Sequence, residues 1–112
     1  MIVLNNPETK VPIAIMDGTL ISTIRTGAVT GVCAKYMAPP RSKTVGLFGA
    51  GSQCKTQLMA LKASLPQLEK AYVYDLSRER TEKFAAEMSQ KLNMDVQAAS
   101  DRLATIESGD IL

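Results

Sequence analysis

The chain has 112 residues, 46% of them hydrophobic and 21% charged, with a formal net charge of +2. That length supports one compact domain with a core but is short for a two-domain enzyme. The weak basic excess is dispersed and leaves no nucleic-acid footprint, and no apolar run approaches the roughly 20 residues of a membrane helix.

The apolar runs "IVLN" and "VPIAIM" flank "NPETK", where Asn6, Pro7 and Lys10 suit a turn, so Ile2 to Met16 reads as a β-hairpin. Asp17 or Thr19 can then cap a long helix reaching about Met37. Leu20, Ile24, Ala28, Val32 and Tyr36 form its expected apolar stripe. Gly27 and Gly31 share another side, and each costs a helix roughly 1 kcal/mol against alanine. A close contact explains them, either tight helix packing or the approach of a ligand or another backbone. Pro39 and Pro40 end the helix, and "APPRSK" reads as a connector with a boundary near residue 40.

From Thr44 the pattern alternates between short strands and helices. "TVGLF" is a strand, and Gln53 to Leu65 a helix with Cys54, Leu58, Leu61 and Leu65 on one face. "KAYVYD" is the second strand, followed by a helix from Arg78 to about Leu92. Its Glu79–Lys83 and Glu87–Lys91 spacings read as a solvated, ion-paired face. "DVQAA" is the third strand, Ser100 caps a short helix ending at Gly109, and "DIL" begins a fourth strand. The fold class is therefore α/β, a partial βαβαβ Rossmann-like parallel sheet preceded by a hairpin and a long helix. Leu112 falls inside a half-written strand. We accordingly expect a truncated domain that self-associates through an open sheet edge, as a homodimer or swapped oligomer.

The chemistry centres on "GAGSQC". Gly49 can make a tight turn and Gly51 lets backbone approach phosphate. Ser52 and Gln53 open the helix, where free N–H groups and the dipole receive a pyrophosphate. Gly46 is taken to serve only the strand. Cys54 stands where a third glycine is usual; it can pack as a small residue or, at a helix start, be a reactive thiol. Asp75 ends the next strand, 24 residues after Gly51, placed to accept both ribose hydroxyls of a dinucleotide; the plain alternative is a turn acid before "LSRER". Such an acid favours NAD over NADP, a preference that Arg78 or Arg80 could soften. No histidine is present, which removes a His-dependent triad and the commonest metal ligand. Cys33 and Cys54 do not have zinc-site spacing and read as a reduced, buried pair, so no metal is expected. Without a signal-peptide pattern after Met1, a cytoplasmic protein with no nucleic-acid or membrane partner is expected.

"PIAIMDGTLISTIRTGAVTGVCAKYMA", "SKTVGLFGAGSQCKTQLMAL" and "AYVYDLS", with "MDGT", "RTGA", "CAKY" and "GAG-x-Q" in that order, resemble the ornithine cyclodeaminase/mu-crystallin family. The resemblance implies that residues 1–40 end a substrate and dimerisation domain with its connecting helix, and that 41–112 are the first half of the NAD(P)-binding domain. It implies an amino-acid or imino-acid substrate and NAD as cofactor. Arg25 matches the arginine that meets the substrate carboxylate and the cofactor, and Thr26, next in the same motif, is expected to bind the cofactor with it. Ser52 and Gln53 match the pyrophosphate pair, and Asp75 the ribose acid. A surface helix arginine is the simpler alternative for Arg25. The family's substrate-binding lysine and catalytic aspartate have no counterpart here, so no catalytic residue is expected in this chain. The resemblance leaves two readings: an enzyme (a cyclodeaminase, an amino-acid dehydrogenase or a ketimine reductase), or a non-catalytic mu-crystallin-like protein that binds NADP and a small ligand.

Overall fold

The computed structural model describes residues 1–112. Strands β1 (Ile2–Asn5) and β2 (Pro12–Met16) form the expected antiparallel hairpin. Its turn is closed by Asn6, whose Oδ1 accepts the N–H groups of Glu8 and Thr9 at 2.8 and 2.9 Å, and Lys10 takes a positive φ of 63°.

Helix α1 (Thr19–Met37) follows. Gly18, rather than Asp17 or Thr19, holds its N-cap position and offers no side-chain cap. Asp17, one residue earlier, supplies the acceptor instead, taking the Thr19 N–H at 3.0 Å and its hydroxyl at 2.8 Å. The packed face also differs from the expected stripe. Leu20, Ile24, Ala28, Val32 and Tyr36 are all exposed, while the buried residues are Gly27, Gly31 and Ala34. Those glycines meet helix α2 (Ser52–Ser64). A Cβ on Gly27 would lie 2.7 Å from the Thr56 backbone, and one on Gly31 would lie 2.9 Å from the Ala60 carbonyl oxygen and 2.8 Å from Ser64 Oγ. Thr56, Ala60 and Ser64 therefore form a small-residue seam at i, i+4, i+8 against the two glycines. The contact is tight helix packing, with the two helices running parallel.

Strands β3 (Thr44–Phe48), β4 (Lys70–Tyr74) and β5 (Asp95–Ala98) form a parallel sheet in the order β3-β4-β5. They alternate with α2, α3 (Arg78–Leu92) and α4 (Arg102–Ser108). Leu58 and Leu61 of α2 and Phe84 and Met88 of α3 close with Val45 and Val73 of the sheet into one core. Helix α3 is capped by Ser77 and ends on left-handed Asn93. Its ion pairs are not the expected Glu79–Lys83 and Glu87–Lys91. Arg78 pairs with Glu82, and Glu87 crosses to Lys55 of α2. Ser89 ties α3 to β5, donating to the Val96 carbonyl and accepting its N–H.

At α4 the N-cap is Asp101, whose Oδ1 accepts the Ala104 N–H at 2.9 Å; Ser100, the expected cap, instead donates to Asp101. The fourth strand begins on the far side of β3, as a parallel bridge between Val45 and Ile111 with Gly46 N–H donating to Ile111 O at 2.8 Å. Asp110 anchors that step, since its Oδ2 accepts the Lys43 and Thr44 N–H groups and the Thr44 hydroxyl. Gly46 does more than serve its strand. A Cβ there would lie 2.6 Å from the Thr105 carbonyl oxygen, and one on Gly109 would lie 2.7 Å from Gly46 N, so the two glycines let α4 and its exit lie directly on β3. The cysteines are both free but not a buried pair, because Cys33 is exposed and Cys54 buried.

Candidate nucleotide site

The parallel sheet delivers the ends of β3 and β4 side by side. At the end of β3, Gly49 turns with φ +95°, a left-handed value that disfavours any side chain, and its N–H donates to the Tyr74 carbonyl at 2.7 Å. At the end of β4, Asp75 faces this turn. Its Oδ2 accepts the Ala50 N–H at 2.8 Å and its Oδ1 the Ser77 N–H at 3.0 Å. The Ser77 and Ala50 amides, helped by the charge of Arg80, hold the carboxyl below the usual carboxylate range. Asp75 is thus both the turn acid of the simpler alternative and a carboxylate with unused lone pairs at the cleft.

Gly51 starts α2, and no side chain caps that helix. The N–H groups of Ser52, Gln53 and Cys54 have no partner within the helix, as first-turn amides must. A Cβ built on Gly49 or Gly51 would meet nothing within 4 Å. The open space, the free amides and the positive end of the helix dipole together make a seat for an anion such as a pyrophosphate. A cleft of about 590 Å³ runs beside it, lined by Phe48, Gly49, Tyr74, Asp75, Ser77 and Arg80 among others. A mostly apolar cavity of about 350 Å³ lies between the C-terminal half of α1, α2, β3 and residues 110–112, with Thr30, Gln57 and Asp110 as its polar lining.

Cys54 sits beneath the helix start, and burial, with the negative charge of Asp75, pushes its thiol up to about 11. It is a packing residue, protonated at neutral pH. Ser52 and Gln53 have no side-chain hydrogen bond across the turn; the Gln53 carbonyl instead accepts the Thr56 hydroxyl.

Arg25 and Thr26 are not on the walls of this cleft. Arg25 lines a shallow groove of α1 with Ala28, Val29, Val32 and Cys33, and the Thr26 hydroxyl donates to Ser22 O. Their helix turn is nevertheless aligned with the site. Gly27 abuts Thr56, the Thr56 hydroxyl donates to Thr23 O at 3.1 Å, and the helices are parallel, so Arg25 and Thr26 fall level with the first turn of α2. Gly49 and Asp75 thus line the cleft, Gly51, Ser52 and Gln53 follow Gly49 at the start of α2 beside it, and Arg25 and Thr26 stay on the adjoining helix. Sequence reasoning missed two contributors to this geometry. The Thr56–Ala60–Ser64 seam was legible as small residues at i+4 spacing, and Asp110 as the acid opening a strand after "SG".

The sequence model of the ornithine cyclodeaminase/mu-crystallin family matches residues 1–112. The chain belongs to that family. Among curated relatives, the alanine dehydrogenase of Archaeoglobus fulgidus is 37% identical over 77% of this chain and 26% of its own length. The L-lysine cyclodeaminase of Streptomyces rapamycinicus is 38% identical over 85% and 28%. Among solved members, the Delta(1)-pyrroline-2-carboxylate reductase of Thermococcus litoralis, in complex with NADH and L-proline, superposes with a TM-score of 0.89 at 42% identity, covering 97% of this chain and 34% of that one. An archaeal alanine dehydrogenase dimer with bound NAD gives 0.82 at 32% identity over 91% and 31%. The chain thus spans about a third or less of the length of these family members. They share its Rossmann-like α/β architecture, and those named as enzymes act on amino or imino acids.

Proposed function

We propose that this chain is the NAD-binding portion of a cytoplasmic enzyme acting on the α-amine of an amino acid or on the matching imine, as a cyclodeaminase, an amino-acid dehydrogenase or a ketimine reductase. The observation that carries this proposal is Gly51, with open space where a side chain would be and an uncapped helix start behind it. The names and bound cofactors of the relatives support it. Bound NAD would supply the hydride acceptor or donor for the α-carbon. The chain's own groups do the rest. The N–H groups of Ser52 and Gln53 receive the pyrophosphate, with Gly49 and Gly51 leaving room for it. Asp75 accepts the ribose hydroxyls while keeping its backbone bonds. Arg25 holds the substrate carboxylate with a forked guanidinium, which fixes orientation as well as place, and Thr26 borders the cofactor from the same turn.

NADH titration followed by nicotinamide fluorescence tests the cofactor. Gly51 has an ordinary φ of −95° and free space around it, so Gly51→Val should fold and melt like the wild type while losing NADH binding. Wild-type affinity in Gly51→Val would sink the proposal. In the enzyme at full length, assayed with ornithine, lysine, alanine or proline, Arg25→Lys keeps the charge but loses the fork. A charge-assisted hydrogen bond contributes roughly 1.5–3 kcal/mol, so kcat/KM should fall about tenfold to hundredfold. Unchanged kcat/KM would remove the carboxylate role from Arg25.

A further inference from the structure

Helices α1 and α2 carry different parts of the proposed site. The free first-turn amides belong to α2, and Arg25 and Thr26 stand on α1. The offset of one helix along the other therefore sets how a carboxylate held on α1 lies relative to an anion held on α2. The glycine seam brings the helices close without fixing that offset. Side-chain ridges lodged in grooves are what ordinarily hold two helices in register, and Gly27 and Gly31 present none.

One side chain supplies what the seam lacks. The Thr56 hydroxyl lies 2.9 Å from Gln53 O in its own helix and 3.1 Å from Thr23 O across the seam. Its single proton is shared between the two carbonyls. No other hydrogen bond joins α1 to α2. Gln53 lies in the first turn of α2, and Thr23 lies in the turn of α1 that leads into Arg25 and Thr26. A hydrogen bond has a preferred distance and direction, so this one ties the amide end of α2 to the Arg25 turn at a set offset. Thr56 itself lines neither the cleft beside Gly49 nor the groove beside Arg25.

We propose that Thr56 is a positioning residue, whose hydroxyl sets the offset between the helix that receives the cofactor and the helix that holds the substrate carboxylate; this rests on the cofactor and Arg25 assignments above. A misplacement of about 1 Å can cost about a hundredfold in rate with every binding group still present. The fold does not depend on the hydroxyl. Valine fills nearly the same space, and Gln53 O and Thr23 O keep their partners in the helix ladders, so Thr56→Val leaves neither acceptor unpaired. Thr56→Ser keeps the hydroxyl and drops only the methyl group.

The test uses the enzyme at full length, assayed with ornithine, lysine, alanine or proline, with NADH titration by nicotinamide fluorescence and thermal melts in parallel. Thr56→Val should melt and bind NADH like the wild type, while kcat/KM for the amino acid falls about tenfold or more. Thr56→Ser should keep wild-type turnover. On an Arg25→Lys background Thr56→Val should cost markedly less than it does alone, because the group it positions is already lost. Unchanged kcat/KM in Thr56→Val overturns the positioning role and leaves the cofactor and Arg25 assignments standing. So does NADH affinity that falls in step with turnover, a serine variant as slow as the valine one, or a fully additive loss on the Arg25→Lys background. A wild type that binds no NADH or turns over none of the four amino acids, or an Arg25→Lys enzyme with unchanged kcat/KM, overturns the underlying assignment and this proposal with it.

Discussion

The two thiols show how little a residue's identity says without its surroundings. Cys54 lies at a helix start, where the dipole ordinarily favours a thiolate. Burial outweighs that here, and the nearby Asp75 charge adds to it, so the thiol stays protonated with a pKa raised to about 11. The sign is unambiguous, because removing water and adding negative charge both disfavour the thiolate. Cys33, on the outer face of α1, is exposed. At pH 8 a disulfide reagent such as Ellman's should therefore label one thiol per chain in the native protein, and the second only on unfolding. A Cys33→Ser variant should lose the fast phase entirely. If Cys54 reacts in the native state at a rate comparable to Cys33, its assignment as a packing residue is wrong and a redox or nucleophilic role returns.

At the scale of elements, the decisive contact is between α1 and α2, and glycine makes it. A Cβ on Gly27 would fall 2.7 Å from both the carbonyl carbon and oxygen of Thr56, and backbone cannot swing aside as a side chain can. Gly27→Val should push the helices apart and destabilise the protein by about 1–3 kcal/mol, the usual range for overpacking. A thermal melt reads this directly, and a melting temperature equal to the wild type would mean that α1 rides on α2 more loosely than described. The same contact explains which parts of the fold were legible. Strands, turn and acid follow from local rules: period-two alternation, a glycine at positive φ, an acid after the second strand. The packed face of α1 does not, because a seam of glycines buries backbone and leaves no apolar signal, while Leu20, Ile24 and Val32 point outward and mimic a core stripe. Gly46 and Gly109 were opaque for the same reason. Asp101 displaced Ser100 as the cap of α4 because both are good caps, and only the register of the chain after β5 chooses between them. In the site, Gly49, Gly51 and Asp75 could be read from spacing, whereas the separation of Arg25 from the cleft depends on how two helices pack.

For the whole molecule, the core is lopsided. Apart from Ala34 of α1, every residue of the hydrophobic core lies in the sheet, its helices or their connections (Leu65, Leu68 and Met94), and none belongs to the hairpin. The radius of gyration is 16.7 Å with extents of 54 × 33 × 24 Å, against about 13 Å for a compact chain of this length. Strand alternation puts Ile13 and Ile15 on one face of β2, with Val3 opposite Ile15, and Ile13 and Ile15 are 61% and 68% exposed. Leu20, Ile21, Ile24, Val32, Tyr36 and Met37 are further exposed apolar side chains on α1. Such a surface favours association. The sheet edge beside β3, by contrast, is partly occupied by Ile111, which makes the hairpin and α1 the stronger driver of assembly. The 112-residue chain should run as a dimer or larger species in size-exclusion chromatography with light scattering. Ile13→Glu with Ile15→Glu should shift it towards monomer and leave the β3–α4 core, and its melting temperature, essentially intact, because those side chains contribute nothing to that core. A wild-type monomer at tens of micromolar would show that the hairpin face tolerates water on its own, and a double variant still fully dimeric would move the interface away from the hairpin.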